Sequence, residues 1–518
     1  MYMTQSLHRA ARMHPSKPAT IYGSRRQDYA SLQQRVARLA GGLKSLGVEA
    51  GDRVAILSLN SDRYLEYFFA VYWAGGVVNP ANIRWSAGEI AYSLADCDTR
   101  VLLIDDQFLP MLQELRAQAP CLKHIIHCGD TATPDGLFGY ETLIDGNEPI
   151  ADAMRGGEDL AGIFYTGGTT GFPKGVMPPH RALYANGLTL ATEGLDVRST
   201  IGLHAAPMFH LADHAFTNAL AMGGGTHVMV PMFQPKLVAE VIEREKINAA
   251  VLVPTMVQML ADAPTTAEHD LSSLAFLLYG GSPISEAVID RALMVMPHVQ
   301  MMQAYGMTEL APVATVLPAC YHTGEGRKLG KLRSAGRPAM IADVRIVDHN
   351  GDEVPRGTVG EISVRGPGMM LGYWNKPKET AEAIRNGWMH TGDGGYMDEE
   401  GFVFIADRIK DMIVTGGENV YSVEVENAVA KHPAVMQCAV LGIPDDKWGE
   451  LVHACIVLRP QASLTLAELQ EHCKPLIANY KIPRSIEIME SLPMSGAGKL
   501  LKNKLREKHW TGRDRRVG

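Results

Sequence analysis

The stretch YTGGTTGFPKG, residues 165–175, decides how this chain is read. It follows an apolar run at 163–165 and strings glycines and threonines ahead of Pro173, Lys174 and Gly175. Glycines reach backbone angles that let several N–H groups converge on one anion. Thr166, Thr169 and Thr170 add hydroxyls, and Lys174 adds a point charge. Both familiar phosphate-loop rules fail. Pro173 rather than glycine precedes the lysine, Gly175 rather than serine or threonine follows it, and no G-x-G-x-x-G fingerprint is present in the stretch. The residues predict an anion cradle of another kind, with a plain surface loop as the competing reading.

Working outward, apolar runs of strand length at 54–58, 101–104, 249–253 and 275–279 alternate with helix-length amphipathic segments such as 31–46 and 235–246. That alternation predicts α/β architecture with largely parallel sheets. Self-similarity at a repeat period of about 20–50 residues is absent, which excludes a solenoid. The composition changes near Asp407. Short strands joined by acidic, Gly-rich turns give way to a compact unit with helices expected at 423–431 and 466–477 and strands at 435–441, 454–458 and 485–489. The expected organisation is a large multi-sheet N-terminal domain at 1–407, a hinge at 408–411 and a small, mobile C-terminal α/β domain at 412–518.

The chain has 518 residues, 46% hydrophobic and 20% charged, with a formal net charge of −8. That charge argues against bulk attraction to nucleic acid. Seven cysteines lie scattered without C-x-x-C spacing, which favours reduced thiols over a disulfide scaffold. The N-terminal MYMTQSLHRAARMHPSKP has no apolar signal-peptide core, and no run of about 18 apolar residues occurs. A soluble, cytoplasmic protein is expected.

Four more stretches carry chemical groups. QAYGMTE, residues 303–309, places Glu309 after a strand-like run, where a carboxylate beside phosphates suits Mg²⁺. HTGDGGYMDEEG, residues 390–401, sets Asp393 on a tight turn able to accept both ribose hydroxyls. DRIKDMIVTGGENVY, residues 407–421, lies at the composition change, and LPMSGAGKL, residues 492–500, presents Lys499. Read singly, solvated turns explain several of them.

Together, in this order and spacing, these stretches resemble the core motifs of the adenylate-forming acyl-CoA synthetase superfamily. The resemblance runs from about Thr4 to Lys508, and GGENVY followed by PDDKWGE is most similar to bacterial fatty-acyl-CoA ligases. It implies an ATP-dependent carboxylate–CoA ligase that makes an acyl-adenylate, releases pyrophosphate and then passes the acyl group to a thiol. It implies ATP, Mg²⁺ and coenzyme A as cofactors. ATP and AMP would be held by Thr166, Gly167, Gly168, Thr169, Thr170, Gly171, Lys174, Gly280, Gly281, Ser282, Ala304, Tyr305, Gly306, Asp393 and Arg408. Lys499, Thr308, Glu309 and His210 would be catalytic, and Thr166 with Glu309 would hold the metal. Lys410 matches the hinge about which the small domain turns between half-reactions. Gly416, Gly417, Glu418 and Trp448 would serve coenzyme A. Relatives usually carry serine where this chain has Gly167.

The stretch PMFHLADH, residues 207–214, sets His210 and His214 four apart, a metal-like spacing on a helix. A third ligand is not evident, although His204 and Asp213 are near, and the match to the family's aromatic–histidine motif is better. The resemblance then places Phe209, His210, Ala212, Phe216, Gly281 and Ala304 around the acyl group. A medium- or long-chain fatty acid is the expected substrate. An aryl acid such as a hydroxycinnamate or benzoate, or a carrier-protein acceptor, is the alternative. The retained Lys499 and Glu309 argue against a non-catalytic nucleotide sensor. The tail KLLKNKLREKHWTGRDRR carries eight Lys/Arg against two acids and is read as a solvated helix face, with an anionic membrane surface as a further candidate partner. No nucleic-acid partner is expected; a homodimer stays open.

Overall fold

The runs Val101–Ile104 and Ala249–Leu252 are buried at every position. A strand hidden on both faces needs cover on both, which is the situation of a parallel sheet between helix layers. Two such sheets form in the computed structural model, which describes residues 1–166, 173–408, 411–494 and 500–510. The candidates Gly167, Gly168, Thr169, Thr170, Gly171, Lys410 and Lys499 lie outside these residues.

The larger sheet has nine strands, and its centre runs Gln300–Gly306, Phe276–Gly280, Ala249–Leu252, Ile201–His204, Thr226–Met229 and Pro18–Tyr22, all parallel. Antiparallel strands Val313–Leu317 and Arg25–Asp28 flank that centre. The second sheet is parallel, in the order Val77–Pro80, Arg53–Leu57, Val101–Ile104, His124–His127 and Phe138–Gly139. The helix Asp62–Trp73 is buried at all twelve positions and shares one apolar core with both sheets. Its charges are paired: Glu66 accepts from Arg35 Nε at 2.6 Å, and Asp62 from Arg25 at 2.8 Å. Removing one partner of such a pair would strand a buried charge.

The third sheet is an antiparallel exception to the largely parallel pattern expected. Asp343–Val347, Gly360–Arg365, Trp388–Met397, Ile384–Arg385 and Val403–Arg408 pair antiparallel throughout. The tight links at 386–387 and 398–402 return the chain antiparallel, as hairpins do, while the longer link at 366–383 carries the helix Pro377–Ala383. A smaller C-terminal α/β part follows, with Ile413–Thr415, Glu418–Val420, Val435–Asp445, Gly449–Leu458 and Ser485–Ile488 in one sheet. The helix Leu466–Cys473 opens on a capping box made by Thr465 and Glu468.

Contacts cross the segment around 408–411. The Asp407 carboxylate, almost fully buried, accepts from the backbone N–H of Ser422 at 2.6 Å. From the helix Lys502–Trp510, Lys502 pairs with Glu426 at 2.7 Å and Arg506 with Asp411 at 2.9 Å. Lys508 pairs with Glu487. These pairings correct the reading of the basic tail as a merely solvated face. Among the described residues no helix is long and apolar enough to cross a membrane.

Candidate active site

Strands Phe164–Thr166 and Lys174–Val176 pair antiparallel, with Thr166 opposite Lys174. The two ends of the glycine–threonine stretch are therefore held side by side. Tyr165 anchors it by donating to Asp96 at 2.6 Å, and Trp374 donates to the Asp96 backbone carbonyl at 2.9 Å. Lys174 places its Nζ 5.1 Å from the centre of the Tyr373 ring. The Tyr373 hydroxyl donates to Glu309 Oε1 at 2.8 Å. Burial beside that carboxylate raises the Tyr373 phenol, which keeps it a donor. One aromatic side chain thus bridges the lysine of the loop and the glutamate of the second motif.

Glu309 and Thr308 lie in the short helical turn Thr308–Leu310, just past the strand Gln300–Gly306. Glu309 is 8% exposed. Its backbone carbonyl accepts from Met370 N–H at 2.9 Å. Asn186, fully buried, donates to the Leu310 carbonyl at 2.9 Å and accepts from Val313 N–H at 2.8 Å. The turn is pinned on both sides of the glutamate.

Gly280 and Ala304 are register partners at the C-terminal ends of neighbouring parallel strands. A Cβ on Gly280 would fall 2.2 Å from the Ala304 carbonyl oxygen, so only glycine permits this approach. Gly281 and Ser282 continue from there, and Tyr305 and Gly306 follow Ala304. Ligands of open α/β sheets gather at such strand ends. Tyr305 donates to Asp393 Oδ2 at 2.7 Å, and Arg408 Nε lies 3.5 Å from Asp393 Oδ1. Asp393 and Arg408 are opposite each other in the antiparallel sheet. This contact joins the nine-stranded sheet to the third sheet through one carboxylate.

The histidine stretch divides. His210 stands at the N-cap of the helix Leu211–Gly223, with its ring 4.2 Å from that of Phe209. His214 is buried and bonded at its two nitrogens to Tyr72 and Asn218, each at 3.0 Å. His204 pairs with Asp213 at 2.8 Å in the core. Among the described residues these groups do not converge as metal ligands. Phe216 is fully buried beside His204 in a core cluster that also touches Ala304, whereas Ala212 is exposed.

In the C-terminal part, Gly416 and Gly417 link Ile413–Thr415 to Glu418–Val420 with φ of +61° and +85°. Two consecutive positive φ angles make the tight hairpin turn that glycine favours. The Gly416 N–H donates to the Trp448 carbonyl at 2.8 Å, and Arg484 lies 4.1 Å above the Trp448 ring. Sequence reasoning missed Tyr373, Asn186 and Asp96. The aromatic pair in LGYWNKP, flanked by glycine and proline, was the available signal for Tyr373.

The family model for AMP-binding enzymes matches residues 7–374, and that for the AMP-binding enzyme C-terminal domain matches 424–499. The chain is 35% identical to the fatty acid–[acyl-carrier-protein] ligase ScoC of Streptomyces coeruleorubidus, covering 100% of this chain and 98% of that protein. It is 38% identical to a feruloyl-CoA synthase of an Amycolatopsis species, covering 96% and 97%. It is 34% identical to the medium/long-chain-fatty-acid–CoA ligase FadD8 of Mycobacterium tuberculosis, covering 98% and 90%. Among solved structures, the anthranilate CoA ligase AuaEII in complex with anthranoyl-AMP superposes with a TM-score of 0.91 at 26% identity, covering 98% and 97%. The paired strands flanking the glycine–threonine stretch, the pinned glutamate and both family matches meet in one conclusion: this chain belongs to the AMP-binding, adenylate-forming enzymes that include acyl- and aryl-CoA ligases.

Proposed function

We propose that the protein activates a medium- or long-chain fatty acid as its acyl-adenylate and transfers the acyl group to coenzyme A. The observation that carries the adenylation reading is the chain Lys174–Tyr373–Glu309, which sets a cation and a carboxylate on either side of one ring at the base of the loop. The fatty-acid preference rests on the likeness to FadD8 and on the small residues Gly281 and Ala304.

A carboxylate resists attack on an anionic phosphate, so the site must neutralise charge. In this reading Thr166 and the loop to Gly171 cradle the β- and γ-phosphates, and Lys174 faces the departing pyrophosphate. Glu309, with Thr166, offers hard oxygen donors, which fit a hard dication such as Mg²⁺. Bound there, that ion would neutralise phosphate charge. Thr308 meets the α-phosphate. Asp393 accepts from the ribose hydroxyls and Arg408 flanks it, while Tyr305 holds the Asp393 carboxylate in place. Gly280 to Ser282 and Ala304 to Gly306 border the adenine. Lys499 approaches for adenylation and withdraws as the domain at 412–518 turns about Lys410, in the hinge 408–411. Gly416, Gly417, Glu418 and Trp448 then face coenzyme A, and His210 with Phe209 lies on the acyl and thiol path alongside Ala212 and Phe216.

A second reading, an aryl-CoA ligase, draws on the 38% identity to a feruloyl-CoA synthase. A third, transfer to a carrier protein, draws on the likeness to ScoC. Pyrophosphate release from hexanoate, palmitate, benzoate and ferulate, each with and without coenzyme A, separates them. The primary reading predicts turnover of hexanoate or palmitate that depends on coenzyme A. Preference for ferulate or benzoate refutes the acid assignment. Adenylate accumulation with no thioester in the presence of coenzyme A refutes the acceptor.

A further inference from the structure

The C-terminal sheet brings together three ligand-type side chains that the proposed reaction leaves unused. His453 and Cys455 lie two apart on Gly449–Leu458 and so face the same side. Glu487 lies on the parallel neighbour Ser485–Ile488, directly opposite Cys455. One ligand atom from each of the three falls within 4.8 Å of the others. Linear spacing in the sequence does not reveal the set, because two strands contribute to it.

Two further features point into the cluster. The His453 side chain is 5% exposed, and its Nε2 has no hydrogen-bond partner; Glu487 Oε2 is 3.7 Å away. Its Nδ1 is bonded to Ser485 Oγ at 2.7 Å. With Nδ1 donating to that hydroxyl, Nε2 presents its lone pair, which is how a second partner prepares a metal-binding imidazole. His509, on the helix Lys502–Trp510, sets its ring 5.1 Å from that of His453 at a tilt of 59°, and its Nε2 is also buried without a partner. Leu505 of the same helix shares a core cluster with Cys455.

We propose that His453, Cys455 and Glu487 form a three-residue site for a zinc-class divalent transition metal beside the helix Lys502–Trp510, with the fourth position left to solvent. One nitrogen, one sulfur and one oxygen donor in a single set suit Zn²⁺ over Mg²⁺ or Ca²⁺. Tetrahedral bonds of about 2.0–2.3 Å put ligand atoms about 3.3–3.8 Å apart, and His453 Nε2 and Glu487 Oε2 already stand 3.7 Å apart. Cys455 gives up its thiol proton on binding. Lys508, which pairs with Glu487, competes for that carboxylate; its side chain is 41% exposed and exits to solvent when the metal enters.

The test uses the full-length, tag-free protein, dialysed against chelator and titrated with Co²⁺ and then Zn²⁺. The expected result is one Co²⁺ per chain, a thiolate-to-cobalt charge-transfer band and its loss on adding Zn²⁺. Cys455→Ser should abolish that band, and Ser485→Ala, which removes the partner of His453 Nδ1, should weaken affinity by roughly 10–100-fold. Lys508→Ala, by releasing Glu487, should tighten binding several-fold. A cluster held only by ion pairs gives no stoichiometric Co²⁺ spectrum in wild type or Lys508→Ala, and that outcome overturns the proposal. A Co²⁺ spectrum lacking the thiolate band overturns it equally, without dependence on whether any variant folds.

Discussion

Tyr373→Phe isolates one hydroxyl. The phenylalanine keeps the ring beneath Lys174 and leaves no cavity, but it deletes the donor to Glu309 Oε1, which the wild type holds at 2.8 Å. Glu309 is 8% exposed, so water replaces that donor poorly. A hydrogen bond to a charged group is worth about 1.5–3 kcal/mol net, roughly 10- to 150-fold in an equilibrium constant. Loss of a partner that orients a metal-binding group costs about 10–100-fold in affinity by direct precedent. Both routes give a Mg²⁺ requirement raised by roughly one to two decades. The assay is pyrophosphate release at fixed ATP and fatty acid across a Mg²⁺ titration. The half-saturating Mg²⁺ concentration should move up by that factor, with most of the maximal rate restored at high Mg²⁺. A titration curve that superimposes on wild type refutes the role given to Tyr373 and Glu309. So does a rate loss of that size that no Mg²⁺ concentration restores, because it would place the hydroxyl in the chemical step.

Lys499→Ala should abolish adenylation while largely sparing thioester formation from supplied acyl-adenylate; equal loss of both half-reactions contradicts its assignment. Gly416→Val forces a branched residue to φ of +61° and sets a Cβ 2.8 Å from the Trp448 ring. Pyrophosphate release without coenzyme A should survive that change and thioester formation should fall at least tenfold, about 1.4 kcal/mol; parallel losses count against a coenzyme A role. Burial lowers the His214 imidazole from 6.5 to about 3. Between those values the unfolded chain binds a proton that the folded one refuses, so stability rises with pH across the window and is complete above 6.5. Urea midpoints at mildly acidic and neutral pH should show a slope reduced by about 1.4 kcal/mol per pH unit in His214→Gln. Identical slopes would sink that account.

Period and turn chemistry were legible wherever local residues decide them. The strand expected at 101–104 is Val101–Ile104, and the run at 249–253 forms Ala249–Leu252. The helix expected at 235–246 is Pro235–Glu245, opened by proline and ended where Lys246 turns left-handed. What escaped depends on partners distant in the chain. Tyr373 meets Glu309 across 64 positions, and Asn186 meets Leu310 across 124. A hydroxyl or amide carries no local mark of such a partner. The basic tail was misread for the same reason, since Arg506 finds Asp411 across 95 positions. Helical spacing of His210 and His214 promised one shared face, yet His210 is the cap, outside the helical turn that orients His214.

The carboxylate of Asp407 has a mechanical meaning. It belongs to the last strand before the proposed pivot but grips the N–H of Ser422 beyond it at 2.6 Å. Lys502 and Arg506 bind the far side of that junction, to Glu426 and Asp411, so the helix Lys502–Trp510 is tied to Asp411. Turning the small domain would release the Asp407 catch while those two ion pairs travel intact. Under the proposed domain turn, that hydrogen bond would act as a detent of about 1.5–3 kcal/mol favouring the present orientation. In the proposed cycle, the swing between the two half-reactions would then be a switch between discrete stops.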